Sequence, residues 1–174
     1  MKRRVTSFIA AGFFGLMLPL TTEAQAADAL PKPTGVPLLE VSGDIKVKNG
    51  VRGAVFDLQM LRDLAEHEYV TTTIWTEGVQ TFTGVPLAVL LDRLDVEDGT
   101  LMAKAINDYA IEIPVADIDP KAPMVAYMMN GKEMSRRDKG PLWIVFPYDS
   151  DAKYRAEIAY ARSIWQLDRI AVVQ

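Results

Sequence analysis

The sequence predicts an α+β fold, a single compact domain in which mixed sheets are combined with short helices. Many short segments alternate apolar and polar residues or are rich in β-branched and aromatic residues, as strands are. Only two segments place apolar residues at helical spacing, and Asn-Gly pairs at 49–50 and 130–131 are typical of tight turns. The sequence has no internal repeat and no low-complexity tract, which favours one domain.

The first 26 residues predict a cleaved signal peptide. "MKRR" is a basic start, residues 8–20 are apolar, and "AQA" at 24–26 fits the small-x-small cleavage pattern. The motif that usually follows a twin arginine is missing after Arg4, which favours general secretion. We therefore expect a periplasmic protein, with a flexible, proline-rich lead-in at 27–37 and a domain at 38–174.

Charge and composition exclude several classes of protein. The formal net charge is −4, and it becomes −6 without the predicted signal peptide, so binding to nucleic acid is disfavoured. The chain has no cysteine, hence no disulfide, no thiolate metal ligand and no thiol nucleophile. A histidine-rich metal site is also excluded, since His67 is the only histidine.

The first half of the domain is predicted to contain one strand, two helices and an extended segment. Alternation over 38–47 predicts a strand that ends at the Asn-Gly turn. Apolar residues at helical spacing predict a helix over 56–67, capped near Asp57. "TTTIWTEG" (71–78) is extended by composition, and 84–94 predicts a second helix with Pro86 near its start.

The second half is predicted to consist of strands and loops. Strands at 102–105 and 109–114 flank a turn at Asn107-Asp108, and a buried strand or helix end leads into the Asn130-Gly131 turn. A basic loop precedes a buried strand at 142–146. The final strand contributes four core candidates: Ile164, Leu167, Ile170 and Val172.

No catalytic signature is present, so the candidate site consists of aromatic side chains beside hydrogen-bonding groups. In an extended segment Trp75 would share one face with Thr73 and Glu77. Trp75 then either packs on the sheet or forms a platform for a flat ring. Glu77 would accept two N–H bonds from the amidine edge of a pterin or guanine-like ring.

The other candidates also have two interpretations. Asn107, Asp108 and Tyr109 belong either to a turn that closes a hairpin or to a second polar wall of the site. The basic residues at 136, 137 and 139 form either a solvated loop or a site for an anionic group. Trp165 is either a core residue or a second platform, and His67 is expected at the surface.

Taken in order, five segments resemble the oxidoreductase molybdopterin-binding domain, which has the sulfite-oxidase fold. They are "LLEVSGDI", "FTGVPLAVLLDRL", "INDYAIEIPVADI", "MNGK…GPLWIVFP" and "WQLDRIAV". Family enzymes carry a molybdenum-binding cysteine upstream of the GVPL turn, at a position that corresponds here to Thr72 or Thr73. A threonine hydroxyl is a poor substitute for a soft thiolate.

Within the family, the chain is most similar to small, cysteine-free, exported proteins that resemble pterin receptors. That branch binds metal-free pterins and acts on the periplasmic region of membrane-bound cyclic-di-GMP synthases or phosphodiesterases. The ligand contacts that this resemblance implies are Trp75, Glu77, Asp108, Tyr109, Arg136, Lys139 and Trp165. The alternatives are a molybdopterin-dependent oxidoreductase of the sulfite oxidase family and a domain that only docks to other proteins.

Overall fold

Ten short strands form one mixed sheet in the computed structural model, which describes residues 29–174. The predicted signal peptide lies outside the described residues. The strands are β1 (Pro37–Gly43), β2 (Gly53–Asp57), β3 (His67–Thr72), β4 (Val79–Pro86), β5 (Thr100–Ala105), β6 (Ala110–Pro114), β7 (Met124–Met129), β8 (Lys132–Glu133), β9 (Leu142–Val145) and β10 (Trp165–Val173). The α-helices are α1 (Leu58–Leu64), α2 (Leu87–Arg93) and α3 (Glu157–Ala161).

The strand order is β2-β1-β10-β9-β7-β4-β3, and the long strand β10 connects its parts. Strands β9 and β1 occupy successive halves of one edge of β10, while β5 pairs along the other edge and carries β6. The β1–β10 pair is parallel and the other pairs are antiparallel. A single strand therefore connects both regions of the sheet.

The larger hydrophobic cluster lies between the central strands and the helices α1 and α2. The four core candidates predicted in and beside the final strand are all buried, which confirms that prediction. A smaller cluster around Phe82 and Trp143 lies between β4, β7 and β9. Trp75 packs against both clusters, so its position depends on the packing of the whole domain.

Asp57 caps helix α1 and also fixes the segment that precedes β1. One carboxylate oxygen accepts the Met60 N–H (2.9 Å), as the predicted cap requires, and the other accepts the N–H groups of Thr34 and Gly35. The Met60 and Gly35 N–H groups lower the pKa of the buried Asp57 carboxyl. Since Leu30 is also buried, packed chain begins upstream of the predicted domain start.

Both predicted helices are shorter than the sequence indicates, because residues at their ends pair with strands, and the third helix, α3, was not predicted. Residues 53–57 pair with β1 as β2, so the first helix begins at Leu58 and ends at Leu64. Residues 84–86 belong to β4, and the second helix begins after Pro86. At Gly84 a Cβ would lie 2.3 Å from the Val125 carbonyl oxygen, so only glycine allows the approach of β4 to β7.

Two predicted extended segments end early. Strand β1 stops at Gly43, where φ is +86°, and the N–H groups of Lys46 and Val47 bond to the Leu94 carbonyl instead. Strand β3 stops at Thr72, and the chain then turns through 73–78. The prediction that "TTTIWTEG" is extended is therefore wrong beyond Thr72, because local hydrogen bonds of the threonines compete with strand pairing.

The remaining strand predictions are confirmed within a residue or two. Strands β5 and β6 pair as an antiparallel hairpin around the Asn107-Asp108 turn. Strand β7 continues through the Asn130-Gly131 turn into β8, and β9 is fully buried. A single domain of mixed sheet with short helices agrees with the predicted class. Within residues 29–174, none of the helices has the length and apolar character needed to cross a membrane.

Candidate ligand-binding site

A cavity of about 290 Å³ opens beside the start of β10. It lies between the β5–β6 turn, the end of α3 and the loop after β3. Its lining is aromatic and neutral: Trp75, Ala105, Asn107, Tyr109, Tyr160, Ala161, Ser163, Ile164, Trp165 and Gln166. No charged side chain is part of this lining. Its volume is close to the lower limit for small-molecule sites, so it suits one compact ring system.

Trp75 is the centre of the aromatic wall. Its ring makes steep edge-to-face contacts with Trp143, Tyr148, Tyr160 and Trp165, at centroid distances of 5.7–6.2 Å. The turn at 73–78 sets this position, because the Thr73 hydroxyl oxygen accepts the Trp75 N–H at 3.0 Å. Edge-to-face packing on four rings makes the indole a fixed surface for a ligand.

The basic loop before β9 is attached to the opposite wall. The Gln166 backbone, at φ +53°, donates to the Lys139 carbonyl, and the Gln166 amide donates to the Arg136 carbonyl at 2.7 Å. The Lys139 ammonium lies 4.8 Å from the centroid of the Trp165 ring. Trp165 is 37% exposed, so a cation lies at the rim of an otherwise neutral cavity.

The β5–β6 turn forms the third side. The Asn107 side-chain oxygen accepts the Tyr109 N–H at 3.2 Å, which is an Asx-type turn. Asp108 takes φ +65°, and its carboxylate pairs with Arg169 at 3.0 Å. The turn therefore directs Asn107 and Tyr109 to the cavity, whereas the Asp108 carboxylate is engaged by Arg169 and is not part of the lining.

Ser163 gives the cavity a fixed polar group. Its hydroxyl donates to the Ala159 carbonyl at 2.7 Å, so it accepts the hydrogen bond from the Tyr148 hydroxyl, also at 2.7 Å. Burial raises the pKa of Tyr148 to about 12, which keeps this phenol neutral at pH 7. The Trp143 N–H donates to the Ser163 carbonyl and fixes the same residue from the other side.

The structure brings together part of the site predicted from the sequence. Trp75, Tyr109 and Trp165 line the cavity, and Lys139 lies against Trp165. Glu77 is exposed, outside the lining, and no longer shares a strand face with Trp75. Asp108 and Arg136 also lie outside the lining, and Arg136 borders a separate cavity of about 260 Å³.

Sequence reasoning missed Tyr160 and Ser163. Both lie at the end of α3, just before the final strand, in "AYARSIW". Tyr160 stacks on Tyr148 at 5.4 Å, which gives the Trp75 ring a second aromatic neighbour on that side. The sequence signal that could have identified them is their closeness to Trp165 in the chain, although this spacing alone does not show which side chain faces the cavity.

The residues at the expected metal position do not fit molybdenum ligation. The Thr72 hydroxyl donates to Asp149, and the Thr73 hydroxyl bonds to Thr76 and the Trp75 N–H. The sequence offers no thiol, and residues 29–174 contain no cluster of three or more His, Cys, Asp or Glu side chains suited to a metal. Neutral hydroxyls already used in local hydrogen bonds are poor ligands for a soft metal.

A comparison with protein-family models identifies the class of the protein. The model of the oxidoreductase molybdopterin-binding domain matches residues 39–154, about two thirds of the chain, so the protein belongs to this family. The resemblance inferred from the sequence segments is thus confirmed. A comparison with curated proteins finds no match. The matched range contains Trp75, Asn107 and Tyr109 and ends before the cavity wall at 160–166.

Proposed function

We propose that this protein is an exported, non-catalytic pterin-binding protein that transmits ligand binding to a partner. The observation that carries the proposal is the cavity itself, which combines four aromatic side chains with neutral hydrogen-bonding groups and has no metal ligand. A pterin is a flat bicyclic ring whose edge carries both donors and acceptors. The fold class and the family agree with a ligand of this kind.

The contacts available are sufficient for a measurable affinity. Stacking of a heterocyclic ring on an aromatic side chain contributes about 1–3 kcal/mol. The polar side chains of the lining that can bond a ligand include the Asn107 amide and the Ser163 hydroxyl, whereas the Gln166 backbone N–H and C=O are already bonded to Lys139 and Ile106. Each hydrogen bond adds about 0.5–1.5 kcal/mol, so one stacked ring with three bonds contributes about 2.5–7.5 kcal/mol. Burial of the apolar surface of the ring supplies the rest of the roughly 8 kcal/mol that a micromolar affinity requires.

The polar part of this proposal differs from the one based on the sequence. Glu77 was expected to accept the amidine edge of the ring, but it is exposed at the tip of the β3–β4 hairpin. In the proposal the Asn107 side-chain oxygen takes this role, because it accepts one hydrogen bond from the Tyr109 N–H and has capacity for a second. The Lys139 ammonium at the rim suits a ligand tail that carries a phosphate or carboxylate.

The proposed partner is the periplasmic region of a membrane-bound cyclic-di-GMP synthase or phosphodiesterase. This step follows from the resemblance to small, exported, cysteine-free proteins of the family and from the predicted signal peptide. Co-purification of the mature protein with the periplasmic region of such an enzyme from the same cell, with and without pterin, tests the step. Equal or absent binding under both conditions would exclude a pterin-dependent relay.

Titration with neopterin and its reduced form, followed by tryptophan fluorescence, tests the binding proposal. All three tryptophans of the chain, Trp75, Trp143 and Trp165, belong to the aromatic cluster, so a bound ring is expected to quench most of the emission. Saturable quenching with a Kd in the micromolar range or tighter supports the proposal. No quenching at several hundred micromolar would overturn it.

Trp165→Ala provides the matching variant, since Trp165 is partly exposed and its loss is compatible with folding. We expect the affinity to fall by about tenfold or more, which corresponds to the loss of one stacking contact. Ile158→Ala is the control, because Ile158 is exposed on α3 and does not line the cavity. Equal affinities of the two variants would contradict the assignment of this cavity.

The family match supports a second candidate function, a molybdopterin-dependent oxidoreductase. It would require a metal held without a thiolate, for which the hydroxyls of Thr72 and Thr73 are poorly suited. Metal analysis of protein purified from its native host separates the two functions. Stoichiometric molybdenum would establish the enzyme, and metal-free protein with bound pterin would support the binding protein.

A further inference from the structure

The edge of strand β3 has unpaired backbone groups. In β4, the Thr81 N–H donates to the Asn130 side-chain oxygen and the Thr81 carbonyl accepts the Asn130 N–H, so both backbone groups of Thr81 point towards β7. Val70 of β3 faces Thr81, and this pair therefore forms no backbone hydrogen bonds. Backbone direction alternates along a strand, so the N–H and C=O groups of Glu68 and Val70 point away from β4. Within the described part of the chain, no hydrogen-bond partner reaches these groups.

Two other edges of the sheet are protected against strand addition. At β2, the Asn49 side chain both donates to the Val55 carbonyl (2.8 Å) and accepts the Val55 N–H (2.7 Å). Strand β6 ends in Pro114, which has no N–H to offer. Strand β3 contains no proline and no lysine, and its ladder with β4 has no bulge. It therefore lacks proline, lysine and a bulge, three of the devices that block an edge, and its exposed charge is an acid, Glu68.

Exposed apolar side chains lie on the same hairpin. Val70, Ile74 and Val79 are 63%, 63% and 61% exposed. Val79 faces Thr72 across the hairpin, and Thr72 is two residues from Val70, so the two valines share one face. Ile74 lies at the tip. A strand added beside β3 would place its alternate side chains next to Val70.

The charge of the β3–β4 hairpin indicates which residue types such an added strand would contain. Residues 63–92 include no lysine or arginine, whereas Glu66, Glu68 and Glu77 lie in or beside the hairpin. Asp149, at the end of the edge, accepts the Thr72 N–H and also interacts with the Arg155 cation, so the negative charge of the hairpin comes mainly from its glutamates. A second copy of this chain would bring the same acids together, so charge complementarity favours a basic segment from another protein.

We propose that β3 is a docking edge for an extended segment of a partner protein in which lysine or arginine alternates with apolar residues. The segment joins the sheet as the next strand, with backbone bonds to Glu68 and Val70. The turn that follows β3 places Trp75 in the cavity wall, so a docked strand lies next to the element that contacts the ligand. This docking proposal depends on the proposed function only where it assigns a signalling role to the partner.

The test uses the mature protein and two short capped peptides, one of alternating Lys and Val and one of alternating Glu and Val. Amide hydrogen exchange followed by NMR reports on individual residues of β3. We expect the Lys/Val peptide to slow exchange at Glu68 and Val70 in a concentration-dependent manner. The Glu/Val peptide is expected to leave both amides unchanged, because the acidic hairpin repels it.

Two variants locate the effect. Val70→Pro removes one outward N–H, which an edge strand tolerates, and Glu68→Lys reverses one charge. Both are expected to weaken binding of the Lys/Val peptide by about tenfold. Val51→Pro and Glu97→Lys introduce the same residues at exposed positions away from the edge and are expected to bind as the wild type does. If Val70→Pro does not fold, the peptide affinity of Glu68→Lys still tests whether β3 is the docking edge.

Pterin titration of the same four variants separates the two proposals. Unchanged pterin affinity shows that the cavity is intact, and peptide binding without pterin binding would leave the docking edge valid and the proposed function wrong. The docking edge is refuted by equal protection from both peptides, by no protection from either, or by full binding to Glu68→Lys. Self-association of the free protein with protection at Glu68 and Val70 would assign the edge to a second copy instead.

Discussion

The Thr72 hydroxyl donates a 2.8 Å hydrogen bond to Asp149, and the Thr72 N–H donates to the second oxygen of the same carboxylate. The Thr71 hydroxyl accepts the Asp149 N–H at 3.0 Å. The Thr72 N–H and hydroxyl together lower the pKa of the Asp149 carboxyl. Thr72, one of the two threonines predicted at the position of the family's metal-binding cysteine, thus connects β3 to the loop after β9.

Thr72→Val is expected to have a small effect on stability and none on ligand binding. The valine loses the hydroxyl bond but keeps the N–H bond to Asp149, and both groups are exposed. We expect Tm to fall by at most about 2 °C. Pterin affinity should be unchanged, since Thr72 does not line the cavity. Differential scanning fluorimetry and fluorescence titration check the two expectations, and a large loss of affinity would place the ligand near Thr72.

Asn107→Ala and Asp108→Asn distinguish the two residues of the β5–β6 turn. Asn107 lines the cavity and accepts the Tyr109 N–H, so its loss is expected to weaken pterin binding by about tenfold. Asp108→Asn keeps a residue that tolerates positive φ and removes an exposed ion pair with Arg169. Its pterin affinity should stay within about twofold of the wild type. Fluorescence titration measures both affinities. A larger loss of affinity for Asp108→Asn than for Asn107→Ala would show that Asp108 is a ligand contact.

Lys139→Gln tests the role of the cation at the rim. The Lys139 ammonium lies over Trp165 but outside the cavity lining, so binding of a neutral pterin should change by less than about threefold. A pterin with a phosphorylated tail is expected to bind about tenfold more weakly to the variant. Lys132→Gln, at an exposed position in β8, is the control for the loss of charge. An equal effect on both ligands would mean that Lys139 acts by positioning Trp165.

Asp57→Asn is expected to destabilise the domain in a pH-dependent way. The buried carboxylate accepts three backbone N–H groups, and the amide accepts fewer, so the free energy of unfolding should fall by about 2 kcal/mol at pH 7. Because the pKa of Asp57 is lowered in the folded state, its contribution is present above the unfolded pKa of about 4 and is lost as pH falls through the lower folded pKa. Urea titrations should therefore show the gap to wild type closing in acid. Asp63→Asn, at an exposed position, is the control, and a gap independent of pH would contradict the assignment.

The parts of the fold that the sequence predicted correctly depend on local patterns. Residue order predicted the final strand with its buried residues, the hairpin around Asn107-Asp108 and the turn at Asn130-Gly131, but not the short strand β8 that follows this turn. Helix ends were wrong, because residues such as Phe56 and Gly84 fit helical spacing but pair with strands distant in sequence. Tertiary pairing overrides local propensity at such positions.

The candidate site was predicted in its aromatic part and at Asn107, whereas the other polar contacts were not. Trp75, Tyr109 and Trp165 were recognised because large aromatic side chains beside polar residues are unusual in loops. Glu77 was assigned to the site on the assumption of an extended strand. The Thr73 hydroxyl bond to the Trp75 N–H replaces that strand by a turn, which a composition-based argument does not capture.

The sequence by itself determined the family, the absence of thiol chemistry and the residues able to form an aromatic wall, because these depend on residue identity and order. The tertiary structure decided which of those residues meet. Trp75 and Trp165 are far apart in the chain, yet their rings lie 5.7 Å apart because β9, which carries Trp143 behind both rings, pairs with β10. In the same packing, Glu77 lies at the surface and the Thr72 hydroxyl donates a hydrogen bond to Asp149. Contacts of this kind follow from burial and long-range strand pairing, which no local pattern of residues specifies.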